Sequence, residues 1–298
     1  MILRKVVVFG VGLIGGSFAL ALKQAGVATQ IVGIGRSKAS LQRALELGIV
    51  DEISESVSAV SGADLVLIAT PVAQTAGILS AIVPYLDAAT VVTDAGSTKS
   101  DVVAAARKAL GDKIGQFVPG HPIAGAEASG PDAATAALYR GKKVVLTALP
   151  ENSSAAVALV TQAWQQCGAI LHALTPEMHD QVFAAVSHLP HLLAFALVDD
   201  LARKPHADTL FQYAASGFRD FTRIAGSSPE MWRDIALANR DALLQELDDY
   251  QTQLLRMRSL LEQGDAAGLE SLFHSARQAR HDWLAAIEAS QPPPVLPL

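Results

Sequence analysis

Three short segments carry the side chains with the most chemistry to offer: Asp94-Ala95-Gly96-Ser97-Thr98-Lys99, Gly120-His121-Pro122-Ile123-Ala124-Gly125-Ala126-Glu127, and Ser187-His188-Leu189-Pro190-His191. His121 reads as a loop residue between a glycine and a proline. Imidazole titrates near neutrality, so it could take a proton from a reacting hydroxyl; taken alone, such a histidine is more often structural. His188 and His191 are three apart and share a helix face. That spacing could hold a metal, but a third ligand with sequence support is missing. No metal is expected, and a polar anchor for a substrate is the better reading. Arg219 and Arg223, four apart, could clamp a carboxylate through bidentate hydrogen bonds or simply form a solvated basic face. The single cysteine, Cys167, cannot form an intrachain disulfide; it reads as a small buried residue and fits a reducing compartment.

A fourth segment points to a cofactor. Gly10-Val11-Gly12-Leu13-Ile14-Gly15 follows the apolar run Val6–Phe9 and opens a helical stretch from Ser17 to Ala25. In a strand–turn–helix context the first glycine allows the tight turn. The second lets the backbone approach a pyrophosphate, and the third lets helix pack on strand. The helix N-terminus then faces the anion. An acidic residue about 20 positions on would bind a ribose 2′-hydroxyl. Gly35 stands there, followed by Arg36, Ser37 and Lys38, and the first carboxylate downstream is Glu46. Arg36 offers a charged fork and Ser37 a hydroxyl, so a 2′-phosphate, and with it NADP, is favoured. Otherwise Arg36 is a solvated surface charge. Thr70, before Pro71, joins the expected cofactor set.

The elements that must position these groups show in the hydrophobic pattern. Val6–Phe9, Gln30–Ile34, Leu65–Thr70, Thr90–Asp94, Phe117–Pro119, Val144–Leu149 and Ile170–Ala173 read as strands. The continuous apolar runs suit a parallel sheet buried on both faces, and their alternation with helical stretches implies a doubly wound α/β domain. From Pro176 to Ser290 strand signal is almost absent, and Pro176–Leu201, Pro229–Arg258 and Ala267–Ala289 show helical spacing. The expected organisation is a dinucleotide-binding domain over 1–175, an all-α domain over 176–290, and a disordered proline-rich tail over 291–298.

Composition narrows the class further. Half of the 298 residues are hydrophobic, enough for a large core, and the formal net charge is −6. An acidic chain has no global pull on nucleic acid or anionic membrane, so neither is an expected partner. Arg4 and Lys5 before the uncharged run Val6–Leu22 mimic a secretory signal, but cleavage there would discard the glycine turn. No other stretch reads as long and apolar enough to span a bilayer. A cytoplasmic protein is expected.

Taken together, the segments resemble the prephenate/arogenate dehydrogenase family. The resemblance is carried by Gly10 to Ser17, Asp94 to Lys99, His121 to Gly125, Ser187 to His191, Gly217-Phe218-Arg219-Asp220-Phe221-Thr222-Arg223-Ile224-Ala225, and Met231-Trp232-Arg233-Asp234-Ile235. It covers essentially the whole chain. It implies a hydride transfer from the hydroxyl-bearing ring carbon of prephenate or arogenate to the nicotinamide. Carbon dioxide is lost, and the product is 4-hydroxyphenylpyruvate or tyrosine. Aromatisation drives that step, which leaves the protein chiefly the task of orienting the reactants. By the same resemblance His121 accepts the ring hydroxyl proton, and Ser97 positions His121 and the nicotinamide. Arg223 holds a substrate carboxylate, and His191 and, less directly, His188 stand on the substrate side. Glu127, Asp220 and Trp232 line or gate the pocket, partly across a homodimer interface. Many members carry an acid where Gly35 stands, and Ala214-Ala215-Ser216-Gly217 replaces a more glycine-rich lead. The chain resembles the bare dehydrogenase, without the further domain of some members. Two other classes fit the glycine turn: an NADP-binding sensor without catalysis, and another two-domain reductase. The latter often uses a lysine on its helical domain, where only Lys204 is available here.

Overall fold

The structure, a computed structural model, describes residues 1–125 and 128–290. Glu127 and the tail expected to be disordered lie outside the described residues. The first half alternates β1 (Val6–Phe9), α1 (Leu13–Gln24), β2 (Ile31–Ile34), α2 (Lys38–Glu46), β3 (Glu52–Ser54), β4 (Leu65–Ile68), α3 (Thr75–Ile82), β5 (Val91–Asp94), α4 (Ser100–Leu110) and β6 (Phe117–Val118). These strands form one parallel sheet in the order β3-β2-β1-β4-β5-β6. Neighbours along each strand point to opposite faces. Val6 and Val8 of β1 pack with Phe18, Leu22 and Trp164 on one side, while Val7 and Phe9 pack with Leu79, Ile82 and Phe117 on the other. Both faces are therefore buried, which is why the strands read as unbroken apolar runs. The strand order reverses between β1 and β4, and open sheets of this kind hold ligands beyond the carboxyl ends of the strands at that point.

A second, three-stranded sheet follows: β7 (Gly120–Pro122) antiparallel to β8 (Lys143–Leu146), and, after α5 (Ser154–Gln166), β9 (Ile170–Ala173) parallel to β8. His121, expected on a loop, is thus a strand residue opposite Val145. Glycine and proline disguised it. Pro122 cannot donate to a ladder, but β7 is an edge strand, where proline is tolerated.

The helical half begins with α6 (Pro176–Phe183), capped by the Thr175 hydroxyl, which accepts from the Met178 amide at 3.2 Å. A π-turn over Ala184–His188 leads into α7 (Leu189–Ala202). Pro190 inside this otherwise continuous helix has no N–H and would clash with the carbonyl four residues back; the widened turn just before it relieves that conflict. The stretch Pro176–Ala202, whose most apolar 18-residue window has mean hydropathy 1.6, is long and apolar enough to cross a membrane, contrary to the expectation from sequence. Its buried polar groups His179, Asp180 and His188 nonetheless have protein partners.

α8 (Ala207–Gln212), α9 (Ser216–Thr222), α10 (Pro229–Ala238), α11 (Arg240–Gln263) and α12 (Ala266–Ser290) complete the chain. The helix expected over Pro229–Arg258 is broken at Asn239, whose backbone leaves the helical region (φ −107, ψ 33) while its side chain is drawn into hydrogen bonds. By compactness the chain divides into units 1–243 and 244–298. The second holds most of α11 and α12, turns at Gly264, and exposes Leu254, Leu255, Leu261, Phe273 and Trp283.

Candidate active site

Beyond the carboxyl ends of β1, β2 and β4 lies a cavity of about 830 Å³ lined by Gly10, Gly12, Arg36, Ser37 and Thr70. Gly10 has φ +85, and a Cβ there would stand 2.6 Å from the Ala69 carbonyl oxygen, so only glycine makes this turn without strain. A Cβ on Gly15 would collide with the Gly10 carbonyl oxygen, whereas one on Gly12 would meet nothing within 4 Å. Gly12 thus opens onto ligand space at the start of α1. Thr70 Oγ1 is buried without a partner at the edge of this space, a donor left for a ligand to satisfy. These features fit a dinucleotide. Leu13, Ile14 and Gly15 do not line the cavity; they fix the turn, with the Ile14 carbonyl accepting from the Tyr139 hydroxyl at 2.6 Å. Arg36 is exposed on the rim and makes no ion pair among the described residues. Ser37 caps α2, accepting from the Ser40 amide at 3.2 Å. Lys38 pairs with Glu55 at 2.6 Å.

Two strands from β1 along the same edge, roughly 10 Å away at ordinary strand spacing, β5 ends at Asp94. Its carboxylate accepts from the amides of Gly96 (2.8 Å) and Gly120 (3.0 Å) and pairs with the fully buried Lys99 ammonium. Asp94 therefore ties the Ser97 loop to the residue before His121. The His121 Nδ1 lies 2.8 Å from His179 Nε2, and His179 Nδ1 lies 2.9 Å from Asp180 Oδ1. Asp180 also accepts from the amides of Lys99 (2.8 Å) and Ser100 (2.7 Å) at the start of α4. Ser97 is half-buried, and its hydroxyl makes no hydrogen bond among the described residues; the group bonded to His121 is His179.

Burial, with the neighbouring His179, Lys99 and His188, pushes His121 well below the ordinary histidine range. Burial likewise lowers His179, against the opposing pull of Asp180. Burial alone would raise Asp180, but hydrogen bonds from His179 and Ser100 hold it below the usual carboxylate range. At neutral pH the chain of His121, His179 and Asp180 therefore contains two uncharged imidazoles and one carboxylate, and His121 can act as a base.

A second cluster forms around Trp232. His191 stacks on its ring with centroids 3.5 Å apart, and His188 meets it edge-on at 6.0 Å. Burial lowers His191, against the pull of its hydrogen bond to the Ser187 carbonyl at 2.8 Å, and the nearby Arg223 lowers it a little further. His188 is buried and lowered to about 4, chiefly by burial, with Nδ1 3.0 Å from Asn239. Asn239 also donates to the Asp180 carbonyl at 2.8 Å, so one side chain links the two clusters. Asp220 is exposed beside Arg219 at 3.8 Å. The structure thus brings His191, His188, Trp232 and Arg223 together and leaves Asp220 at the surface. Sequence reasoning missed His179, Asp180, Lys99 and Asn239. His179 is 58 residues from His121, and no local spacing connects them.

A glycine turn at the switch point of a Rossmann-type sheet, with a neutral histidine on the same edge, defines a dinucleotide-dependent dehydrogenase. The family models for the nucleotide-binding and dimerization domains of prephenate dehydrogenase match residues 18–173 and 175–275, and the chain belongs to that family. It is 39% identical to prephenate dehydrogenase of Bacillus subtilis (strain 168) over 91% of this chain and 74% of the relative. Among solved structures, prephenate dehydrogenase from Aquifex aeolicus in complex with hydroxyphenyl propionate and NAD+ has a TM-score of 0.87 at 37% identity, covering 94% of this chain and 99% of that one. Synechocystis arogenate dehydrogenase has a TM-score of 0.79 at 30% identity, covering 94% and 100%.

Proposed function

We propose that this chain catalyses the oxidative decarboxylation of prephenate, arogenate or both to 4-hydroxyphenylpyruvate, tyrosine or both, with NADP preferred over NAD, as a homodimer in the cytoplasm. The observation that carries the reading is His121: uncharged, on the carboxyl-end edge that also holds the glycine turn, in a chain of the prephenate dehydrogenase family. Gly10, Gly12 and Thr70 would hold the dinucleotide, with Arg36 and Ser37 toward a 2′-phosphate. Bound there, the nicotinamide supplies the hydride acceptor.

His121 Nε2 takes the ring hydroxyl proton as hydride leaves the same carbon. It returns that proton to the phenolate oxygen once carbon dioxide has gone and the ring is aromatic. Arg223 and His191 hold the substrate, Arg223 through a carboxylate, with His188 and Trp232 behind them. Ser97 would position the nicotinamide beside His121, and Glu127 and Asp220 would line or gate the pocket. The same reading divides the chain into a dinucleotide-binding part, 1–175, and a helical part, 176–290.

Steady-state cofactor reduction with prephenate and with arogenate tests the activity. His121→Asn is expected to lower turnover about 10²–10⁴-fold, the usual worth of a general base, with little change in cofactor affinity. Near-normal turnover in that variant removes the assigned base.

A further inference from the structure

His121 is one end of a three-residue chain whose other end is anchored in the backbone. Asp180 Oδ1 accepts from the Lys99 amide, and Oδ2 from the Ser100 amide, both at the start of α4. A carboxylate is at home at a helix N-terminus. We propose that Asp180 and His179 are positioning residues that hold the proton of His121 on Nδ1 and so turn its Nε2 lone pair toward the substrate.

The proposal rests on the reading of His121 as the base, and with both imidazoles neutral the contacts allow one arrangement of protons. An ionised carboxylate only accepts hydrogen bonds, so the 2.9 Å contact to Asp180 places a hydrogen on His179 Nδ1. The neutral His179 then carries a lone pair on Nε2, and the 2.8 Å contact to His121 must be donated by His121 Nδ1–H. What remains on His121 is a bare Nε2. Phe183 holds both rings in place, with centroids 4.9 Å from His121 and 4.5 Å from His179.

The chain also gives the proton somewhere to go. As the substrate O–H breaks, His121 Nε2–H forms. His121 Nδ1–H can then break as His179 Nε2–H forms, which moves the positive charge onto the ring bonded to Asp180. The charged and titratable groups facing the pair are Lys99, Asp94 and Asp180, with the neutral His188. Lys99 disfavours a cation on either ring, and Asp180, bonded to the His179 ring alone of the two, favours one there. The reverse transfers return the proton to the phenolate oxygen, so the cycle needs no external acid.

The experiment is nitrogen NMR of the histidine rings in the full-length resting protein, with kinetics of His179→Ala and His179→Gln. In the wild type His121 is expected to be neutral and protonated on Nδ1. His179→Ala should lose that preference. Its kcat should fall about 10- to 100-fold, less than the full worth of the base, with KM for both substrates changed about threefold or less and the acid limb of kcat displaced. His179→Gln offers a side-chain carbonyl to the same Nδ1–H, so it should keep the tautomer and recover part of kcat. A wild-type His121 protonated on Nε2 overturns the proposal. So does a His179→Ala enzyme with kcat and pH profile within about twofold of wild type. Should His179→Ala unfold, the wild-type spectrum and His179→Gln decide. The spectrum needs no substrate, so it fails or succeeds independently of the activity assigned to His121.

Discussion

Arg36→Ala is the most informative change at the cofactor cleft. Arg36 sits on the rim just past β2, exposed and without an ion pair among the described residues. Removing it breaks no bond of the free protein, so stability should move by less than about 0.5 kcal/mol. Toward a 2′-phosphate its guanidinium would make charge-assisted hydrogen bonds worth about 1.5–3 kcal/mol. At about 1.4 kcal/mol per tenfold, that is a loss of about 10- to 150-fold in kcat/KM with NADP. Exposure to solvent favours the lower half of that range, and raising the ionic strength should narrow the gap. With NAD, which has no such phosphate, kcat/KM should change by about twofold or less. The neighbours make poorer probes. Ser37 caps α2, so its removal costs about 1 kcal/mol of helix stability. Lys38 is already paired with Glu55 and serves as a control of smaller effect. The assay is initial rates with both cofactors, wild type against variant, at low and high salt. A wild-type enzyme that prefers NAD, or an equal loss with both cofactors, refutes the reasoning.

Other expectations follow from the helical half. Arg223→Ala should mainly raise the Michaelis constant for the ring substrate, as loss of uniform binding does; a fall in kcat alone would argue against a carboxylate anchor. His188, lowered from 6.5 to about 4 by burial, stays neutral in the fold while the unfolded chain takes up a proton. Its contribution is full above pH 6.5 and is lost as pH falls toward about 4, by about 3 kcal/mol at 1.36 kcal/mol per pKa unit. His121 and His179 act with the same sign. Urea midpoints measured across that range should drop, and His188→Gln should flatten the slope; an unchanged slope would contradict the burial argument. Light scattering at micromolar concentration should show a dimer, with the helices after Pro176 supplying the contact. A stable monomer would rule that out.

Local physics determined a good part of this protein from sequence alone. Val6–Phe9 is buried on both faces, so it had to be continuously apolar. Gly10 sits at φ +85 under the Ala69 carbonyl, so it had to be glycine. Turn, strand and helix lie within 20 residues of each other, and the pattern that makes them is visible there. The long helices of the second half were legible for the same reason, though not the short α8 and α9, and apart from the break at Asn239. That residue gives up helical geometry for bonds to Asp180 and His188, and nothing in its neighbours announces the exchange. Only the tertiary structure decided the partner of His121. Ser97 was expected from family resemblance, but the group in contact is His179, brought from 58 residues away by the docking of α6 against the start of α4. Lys99 was similarly hidden: a lysine reads as surface until Asp94 is seen to neutralise it in the interior. Such choices depend on which side chains a fold buries together, and burial sums contributions from the whole chain.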